Sequence, residues 1–228
     1  ARIALTYHTP VILLSDGYLA NGSEPWCLPE VDSLAPIPME FATEFNHTNA
    51  DGEPEFWPFL RDENLVRPLA PPGTPGLMHR IGGIEKQDGS GNVSYDTQNH
   101  GHMVAIRADR ISQIEVPDVE VIGHPEADVL VVGWGSTWGA ITGGVRRVAN
   151  AGHKVAQVHL THLNPFPKNL GEVLARHKKV LVPEMNLGQL AKMIRAEYLV
   201  DAQAIGKVTG QPFTAGEIEQ VTLGALDD

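Results

Sequence analysis

Short runs of aliphatic residues recur in the second half of the chain, and each is followed by glycine or polar residues and then by a segment with helical periodicity. The clearest run, residues 129–132, stops at Gly133 and leads into an amphipathic segment at residues 140–150. The pattern then repeats, with strands predicted at residues 154–160, 179–183 and 202–208 and helices at residues 170–177, 189–199 and 214–223. Buried parallel strands are near-continuous aliphatic runs because helices cover both faces of the sheet. The sequence therefore predicts an α/β fold with a doubly wound, mostly parallel sheet.

The beginning of the chain follows a different pattern. Residues 1–8 have the pattern of a helix that Thr9 and Pro10 end, and residues 11–14 predict a buried strand. A helix that leads into a lone strand cannot close a core, so we expect the chain to be the carboxyl-terminal piece of a longer protein; an amino-terminal helix that packs onto the predicted α/β domain is the alternative. Asp16 follows the predicted strand and is expected to cap the next turn; a position in a ligand crevice is the alternative.

Residues 21–79 form a predicted connector without long regular elements. Ten prolines in this span exclude a long helix and favour extended chain. A free linker would not carry many large aromatic side chains, so we expect the connector to be ordered and to pack these rings on a neighbouring surface. The aromatic residues are Trp26, Phe41, Phe45, Phe56, Trp57 and Phe59. Glycine-rich turns at residues 79–92 and a helix from Met103 to about Ile114 are predicted to follow.

Composition narrows the classes of function. The formal net charge of −11 argues against an autonomous binder of nucleic acid or anionic membrane, because both need a basic face. The single cysteine, Cys27, can neither form an internal disulfide nor ligate an iron–sulfur cluster alone. No apolar run approaches the ~20 residues that a membrane-spanning helix needs. We therefore predict a cytoplasmic location.

The turn after residues 129–132 is the main candidate for a binding site. Ligands of open α/β sheets bind beyond the carboxyl ends of the strands, and Gly135, Ser136 and Thr137 stand there before a predicted helix. Free N–H groups at a helix start can receive a phosphate or carboxylate, and Asn186 at a neighbouring strand end could add a donor. The glycine spacing differs from G-x-G-x-x-G, which disfavours a dinucleotide site. A structural turn with Ser136 or Thr137 as helix cap is favoured over an anion site, and Glu184 and Asn186 are expected to cap their own helix.

Other polar residues do not form a complete catalytic set. His100 and His102 form a His-x-His pair, but two ligands without a third are a weak metal signal, and turn or capping hydrogen bonds are favoured. His159 and His162 lack a nucleophile at a known spacing, so hydrogen bonds in loops are favoured for them as well. We predict no catalytic residue and no metal ligand in this chain.

Several segments together resemble the α subunit of bacterial 2-oxoglutarate:ferredoxin oxidoreductases, a branch of the 2-oxoacid:acceptor oxidoreductase family. The likeness runs along the whole chain and is closest to actinobacterial forms. Each motif alone is unspecific, whereas the combination is specific. The motifs are TPVILLSDGYLANGSEPW at residues 9–26, HRIGGIEK at residues 79–86, Asn99-His100, GWGSTWG at residues 133–139, HLNPFP at residues 162–167 and VPEMNLGQ at residues 182–189.

The resemblance implies a domain organisation. Residues 1–26 would end a pyrimidine-binding domain for thiamine diphosphate, and residues 27–102 would form a Pro/Gly-rich linker packed on neighbouring domains. Residues 103–228 would form a domain that resembles the carboxyl-terminal domain of transketolase. The family's cofactor glutamate and its substrate-binding arginine and threonines would lie upstream, so no residue of this chain takes their roles.

The resemblance also implies an activity in which this chain would take part but would not act alone. Enzymes of this kind convert 2-oxoglutarate and CoA into succinyl-CoA, CO2 and reduced ferredoxin, or run in reverse. Thiamine diphosphate, Mg and an iron–sulfur cluster would be bound mainly outside this chain. The partners would be the remainder of the α subunit, a β subunit that carries the cluster, and ferredoxin, in a dimer of αβ heterodimers. A non-catalytic structural or interaction domain and a nucleotide-binding module are the alternatives.

CoA is the ligand that this chain itself would contact in such an enzyme. Its phosphates would meet Gly135, Ser136 and Thr137 at the helix start, and Asn186 would add a donor. The same turn could instead be structural, and few basic residues lie in these loops; Lys168 is the nearest in sequence.

Overall fold

The computed structural model describes residues 1–37 and 39–227. The chain divides into two compact units. The first comprises Ala1–Ile12 and Trp26–Glu115, and the second comprises Leu13–Pro25 and Val116–Asp228. Each unit is a part of the chain whose residues mainly contact one another. The domain limits expected after residues 26 and 102 rest on the resemblance and stay a prediction.

Regular structure is concentrated in the second unit. The helices are α1 (Arg2–Thr6), α2 (Gly17–Asn21), α3 (Thr97–Ser112), α4 (Trp138–Asn150), α5 (Leu170–Ala175), α6 (Gln189–Tyr198) and α7 (Ala215–Asp227). The strands are β1 (His47–Thr48), β2 (Pro54–Glu55), β3 (Ile122–Gly123), β4 (Val129–Trp134), β5 (Val155–Leu160), β6 (Lys179–Glu184) and β7 (Ala202–Gly206). None of the helices described has both the length and the apolar character needed to cross a membrane.

In the first unit, aromatic side chains pack on a glycine-rich loop. Phe59 and Gly89 form an isolated antiparallel bridge. The rings of Trp57 and Phe59 cover Gly89 and Gly91 so closely that an added Cβ would lie 2.5 Å and 2.7 Å from a ring carbon, respectively. Both glycines also have positive φ angles. The loop therefore needs glycine at these two positions for space and for backbone conformation.

Two carboxylates fasten the same loop to α3. Glu85 accepts a hydrogen bond from Arg107 at 3.1 Å and pairs with His100 at 2.7 Å, and Asp88 pairs with His102 at 3.1 Å. Arg107, followed by His100, lowers the pKa of Glu85 to about 2. The His-x-His pair thus contacts carboxylates of the loop, in agreement with the hydrogen bonds favoured from the sequence. Over the described ranges, no group of three or more His, Cys, Asp or Glu side chains could hold a metal ion.

The connector packs its aromatic rings in only one part of its length. Phe56 is buried, and the neighbouring Trp57 and Phe59 are half-buried. By contrast, Trp26 is 83% exposed and Phe41 is about half exposed. Packing of the rings is therefore found within the first unit for residues 56–59, and packing of the earlier rings on a neighbouring surface stays a prediction.

The second unit is built on a five-stranded sheet with the order β3-β5-β4-β6-β7. The ladders that join β5, β4, β6 and β7 are parallel, and the short β3 is antiparallel to β5. One face of the sheet, which includes Leu130 and Val132, packs against α5 and α6. The other face, which includes Val129 and Val131, packs against α4 and α7. These layers confirm the predicted doubly wound, mostly parallel α/β fold.

The ladder between β4 and β6 ends before the strands themselves end. β4 pairs with β6 only as far as Val131 and Leu181. On their outer sides, β4 continues along β5 to Trp134 and β6 continues along β7 to Glu184. The order of the strands reverses here, since β5 lies on one side of β4 and β6 on the other. The carboxyl ends of β4 and β6 therefore flank the position where ligands bind in open α/β sheets.

Two predictions about the first half of the chain are wrong. Residues 11–14 form no strand, and Ile12 and Leu13 are 83% and 91% exposed. An aliphatic run becomes a strand only where a neighbouring strand supplies hydrogen bonds, and the described residues supply none. Helix α3 begins at Thr97, well before the predicted start at Met103, because the Asp96 side chain accepts a hydrogen bond from the Gln98 N–H and caps it.

Replacing Gly144 with alanine should destabilise the second unit. Gly144 lies on α4, where an added Cβ would come within 2.6 Å of the Ile218 Cβ and 2.8 Å of the Ala215 carbonyl oxygen on α7. We expect Gly144→Ala to lower the free energy of unfolding by about 1–3 kcal/mol, because overpacking forces the two helices apart. Denaturant unfolding measures this change.

The control is Gly139→Ala in the same helix. Nothing lies within 4 Å of a Cβ added there, so alanine should raise the stability by about 0.5–1 kcal/mol through its better helix propensity. Equal unfolding midpoints for the two variants would contradict the close packing of α4 on α7.

Candidate functional site

The loops after β4, β5 and β6 lie at one edge of the sheet, because the carboxyl ends of parallel strands share an edge. Gly135, Ser136 and Thr137 follow β4, and Asn186 follows β6. These four residues therefore stand on the two sides of the position where the β4–β6 ladder has ended. The topology brings the predicted residues to the same region of the fold.

The turn after β4 uses the Thr137 hydroxyl group internally. Gly135 is exposed and has a φ angle of +58°, which favours glycine. Thr137 is buried, and its hydroxyl donates to the Trp134 carbonyl oxygen at 2.7 Å. Thr137 occupies the cap position of α4, but its side chain makes no capping hydrogen bond to that helix. The hydroxyl therefore closes the turn on β4 and does not cap α4 as the structural alternative supposed.

A carboxylate that is distant in sequence stands beside this turn. The Ser136 hydroxyl donates a hydrogen bond to Asp16, 120 positions earlier in the chain. Asp16 also accepts from the Leu19 N–H at 3.0 Å, so it caps α2 as predicted. The hydrogen bond from Ser136 is the main cause that lowers the pKa of Asp16. A fixed negative charge beside the turn opposes the binding of an anion there.

Gly133 allows the turn to approach β5. An added Cβ on Gly133 would lie 2.6 Å from the Ile141 Cδ1 and 3.1 Å from the His159 Nδ1. The His159 ring packs edge-on against Trp138, with a centroid distance of 5.0 Å. Burial lowers the pKa of His159, and a hydrogen bond with the Gly135 backbone opposes this shift. The Nδ1 of His159 is buried and has no hydrogen-bond partner among the described residues.

Glu184 and Asn186 organise the opposite side of the edge. Glu184 is fully buried, and its carboxylate accepts hydrogen bonds from the N–H groups of Leu190 and Ala191 at 2.9 and 3.0 Å. Asn186 donates to Glu184 at 3.1 Å and accepts from the Gly188 N–H at 2.8 Å. Both side chains cap α6, as predicted, and the carboxylate lies where the helix dipole favours negative charge.

Cationic side chains are scarce on these loops. On the loop after β5, His162 pairs with the Thr161 hydroxyl at 3.0 Å, which agrees with the local hydrogen bonding favoured from the sequence. Lys168 is exposed on the same loop. A phosphate at the β4 turn would therefore depend on backbone N–H groups more than on ion pairs.

Comparisons with known proteins show which proteins this chain resembles in fold and in sequence. The family model described as pyruvate:ferredoxin oxidoreductase core domain II matches residues 127–218, which include strands β4 to β7 and helices α4 to α6. A solved structure of 2-oxoglutarate:ferredoxin oxidoreductase from Magnetococcus marinus, with 2-oxoglutarate, coenzyme A and succinyl-CoA bound, superimposes with a TM-score of 0.87 at 30% identity. That match covers 98% of this chain and 38% of the other. The second unit thus resembles a core domain of ferredoxin-linked oxidoreductases over residues 127–218.

Sequence relatives extend this assignment to the whole chain. The 2-oxoglutarate oxidoreductase subunit KorA of Mycobacterium tuberculosis is 53% identical over 99% of this chain. The α subunit of a 2-oxoacid:ferredoxin oxidoreductase from Saccharolobus solfataricus is 28% identical over 96% of it. The chain is therefore similar, along nearly its whole length, to subunits of 2-oxoacid:ferredoxin oxidoreductases. It spans about a third of these relatives, since it covers 34% and 35% of their lengths.

Replacing the buried Glu184 with glutamine should destabilise the second unit. Glutamine offers one acceptor oxygen, whereas the carboxylate uses both oxygens on the N–H groups of α6. We expect Glu184→Gln to lower the free energy of unfolding by about 1–3 kcal/mol, because a buried N–H group loses its partner. Denaturant unfolding, followed by far-UV circular dichroism, measures the change.

The control is Glu219→Gln. Glu219 forms an ion pair with Arg147 at 3.2 Å in which both side chains are partly exposed, so its loss should change the stability by less than about 1 kcal/mol. If Glu184→Gln lowers the free energy of unfolding as little as Glu219→Gln does, the buried carboxylate does not stabilise the start of α6.

Proposed function

We propose that the chain acts as part of the α subunit of a 2-oxoglutarate:ferredoxin oxidoreductase. The enzyme forms succinyl-CoA, CO2 and reduced ferredoxin from 2-oxoglutarate and CoA, or catalyses the reverse reaction. The observation that carries the proposal is the 53% identity to the Mycobacterium tuberculosis subunit, which runs along nearly the whole chain. The bound 2-oxoglutarate, coenzyme A and succinyl-CoA in the Magnetococcus marinus structure support the same reaction.

In this proposal thiamine diphosphate, Mg and the iron–sulfur cluster are bound mainly outside the chain. The support for this concerns the cluster and the metal ion. Cys27 is a single exposed thiol, whereas such clusters take about four thiolates. Within the described ranges, no set of three His, Cys, Asp or Glu side chains could hold a metal ion.

The partners in this proposal are the remainder of the α subunit, a β subunit with the cofactor and the cluster, and ferredoxin. They form a dimer of αβ heterodimers in the cytoplasm. Relatives that are named as α subunits support an assembly of several chains. The chain's own role is to supply a packed α/β scaffold to this assembly.

We also propose a contact with CoA at Gly135, Ser136, Thr137 and Asn186. The support is their shared position at the carboxyl edge of the sheet, beside the reversal of strand order. The helix start favours an anion by roughly 0.3–1 kcal/mol. Asp16 and the internal hydrogen bond of Thr137 oppose the contact.

The activity of the whole assembly tests the proposed function. The complete enzyme should reduce ferredoxin only when 2-oxoglutarate and CoA are both present, and it should form one succinyl-CoA for every two electrons that pass to ferredoxin. The isolated chain should reduce neither ferredoxin nor a redox dye, because it has no complete set of cluster thiolates. Reduction of dye by the isolated chain with 2-oxoglutarate would contradict the proposal, as would a complete enzyme that ignores 2-oxoglutarate.

Steady-state kinetics of the whole enzyme test the CoA contact. The double variant Ser136→Ala/Thr137→Val should raise the KM for CoA and leave the KM for 2-oxoglutarate unchanged. Asp16→Asn should lower the KM for CoA, because it removes a negative charge beside the turn and keeps an acceptor for Ser136 and for the α2 cap. If the KM for CoA is unchanged in both variants and only the stability is altered, the turn has a structural role and does not contact CoA.

A further inference from the structure

Four arginines come together in the first unit. Arg61 and Arg67 follow β2 in the chain, and Arg107 and Arg110 lie on α3. The Arg61 and Arg67 guanidinium carbons lie 5.6 and 5.4 Å from the centre of the Phe59 ring. Arg61 and Arg67 thus both pack on the Phe59 ring. The positive charges of Arg107 and Arg110 are close enough to Arg61 to repel it electrostatically, and Arg67 repels Arg110.

Carboxylates neutralise only half of this cluster. Arg61 pairs with Asp88 at 2.7 Å, and Arg107 pairs with Glu85 at 3.1 Å. Within the described part of the chain, neither Arg67 nor Arg110 forms an ion pair, since no Asp or Glu oxygen lies within 4.0 Å of their side-chain nitrogens.

Burial makes the unpaired positive charge costly. The Arg61 side chain is only 7% exposed, and Arg110 is half-buried. The Nε groups of both are buried and have no hydrogen-bond partner among the described residues. Burial, followed by the nearby charges of Arg67 and Arg107, lowers the pKa of Arg110. Buried N–H donors and uncompensated cations both favour an acceptor that carries negative charge.

From this geometry we propose that Arg61, Arg67 and Arg110 form a binding site for an oxyanion, the phosphate or carboxylate group of a small molecule. The guanidinium group presents planar pairs of donors that match the oxygens of either group. The bound anion supplies the negative charge that the cluster lacks. The Phe59 ring holds the two guanidinium groups in place. The site does not depend on the proposed activity of the whole enzyme.

Thermal unfolding of the 228-residue chain tests the site with inorganic phosphate and succinate as probes. Each is compared with chloride at equal ionic strength and pH, which removes general screening from the comparison. We expect the melting temperature to rise by about 3 °C or more at a concentration tenfold above the dissociation constant. A response to phosphate alone assigns a phosphate group to the site, and a response to succinate alone assigns a carboxylate. No rise with either probe overturns the proposal.

Variants separate this site from other cations of the chain. The double variant Arg67→Gln/Arg110→Gln should abolish the rise in melting temperature that the anion causes. In chloride, the melting temperature of this variant should equal or exceed that of the unaltered chain, because repulsion between like charges is relieved. Arg80→Gln, at an exposed position of the same unit, should keep the full rise. A rise that persists in the double variant would show that the anion binds elsewhere.

A milder variant keeps the test valid if the double variant folds poorly. Arg110→Lys retains the charge but loses the planar pair of donors. It should reduce the rise by half or more at the same probe concentration. A full rise with Arg110→Lys would overturn the proposed role of the Arg110 guanidinium.

Discussion

The buried Glu184 carboxylate is the interaction on which the carboxyl edge of the second unit depends. A buried carboxylate is costly unless donors surround it, and here the first turn of α6 and the Asn186 amide provide them. The same hydrogen bonds fix the place where β6 ends and α6 begins. Because β6 is held in this way while β4 turns into α4 through Gly133 and Gly135, the two strands separate at their carboxyl ends.

The repeated strand–turn–helix pattern could be predicted from the sequence because burial dictates it. Strands β4, β5 and β6 lie between helices on both faces, so their aliphatic runs are unbroken and easy to recognise. Residues 11–14 have the same composition, yet they form no strand in the structure. An aliphatic composition indicates that a segment tends to be buried. A strand also needs a neighbouring strand to accept and donate backbone hydrogen bonds, and the local sequence does not show where that neighbour is.

The candidate site could be predicted only in outline. Strand order places Ser136 and Asn186 at one edge, and this follows from the α/β pattern. The hydrogen bond between Ser136 and Asp16 does not follow from any spacing, since 120 positions separate the two residues. The arginine cluster was missed for the same reason: Arg61 and Arg67 meet Arg110 only through the fold of the first unit. Polar contacts between distant segments depend on tertiary structure, which periodicity does not encode.

The scaffold role links the fold to the family assignment. The chain supplies a packed α/β domain, and the residues described here do not form a set that could hold a cluster or a metal ion. Its exposed segments at residues 11–14 and around Trp26 are apolar surfaces, which commonly mark contacts with other domains or chains.

The mass and identity of the chains that purify with this one test the scaffold role most directly. Native mass spectrometry of the tagged natural protein, with an iron assay on the same sample, gives both. We expect an assembly far larger than the 24.7 kDa of this chain, with iron and a second subunit that contains the cluster cysteines. A stable particle that contains this chain alone and no iron would contradict a role within a 2-oxoglutarate:ferredoxin oxidoreductase.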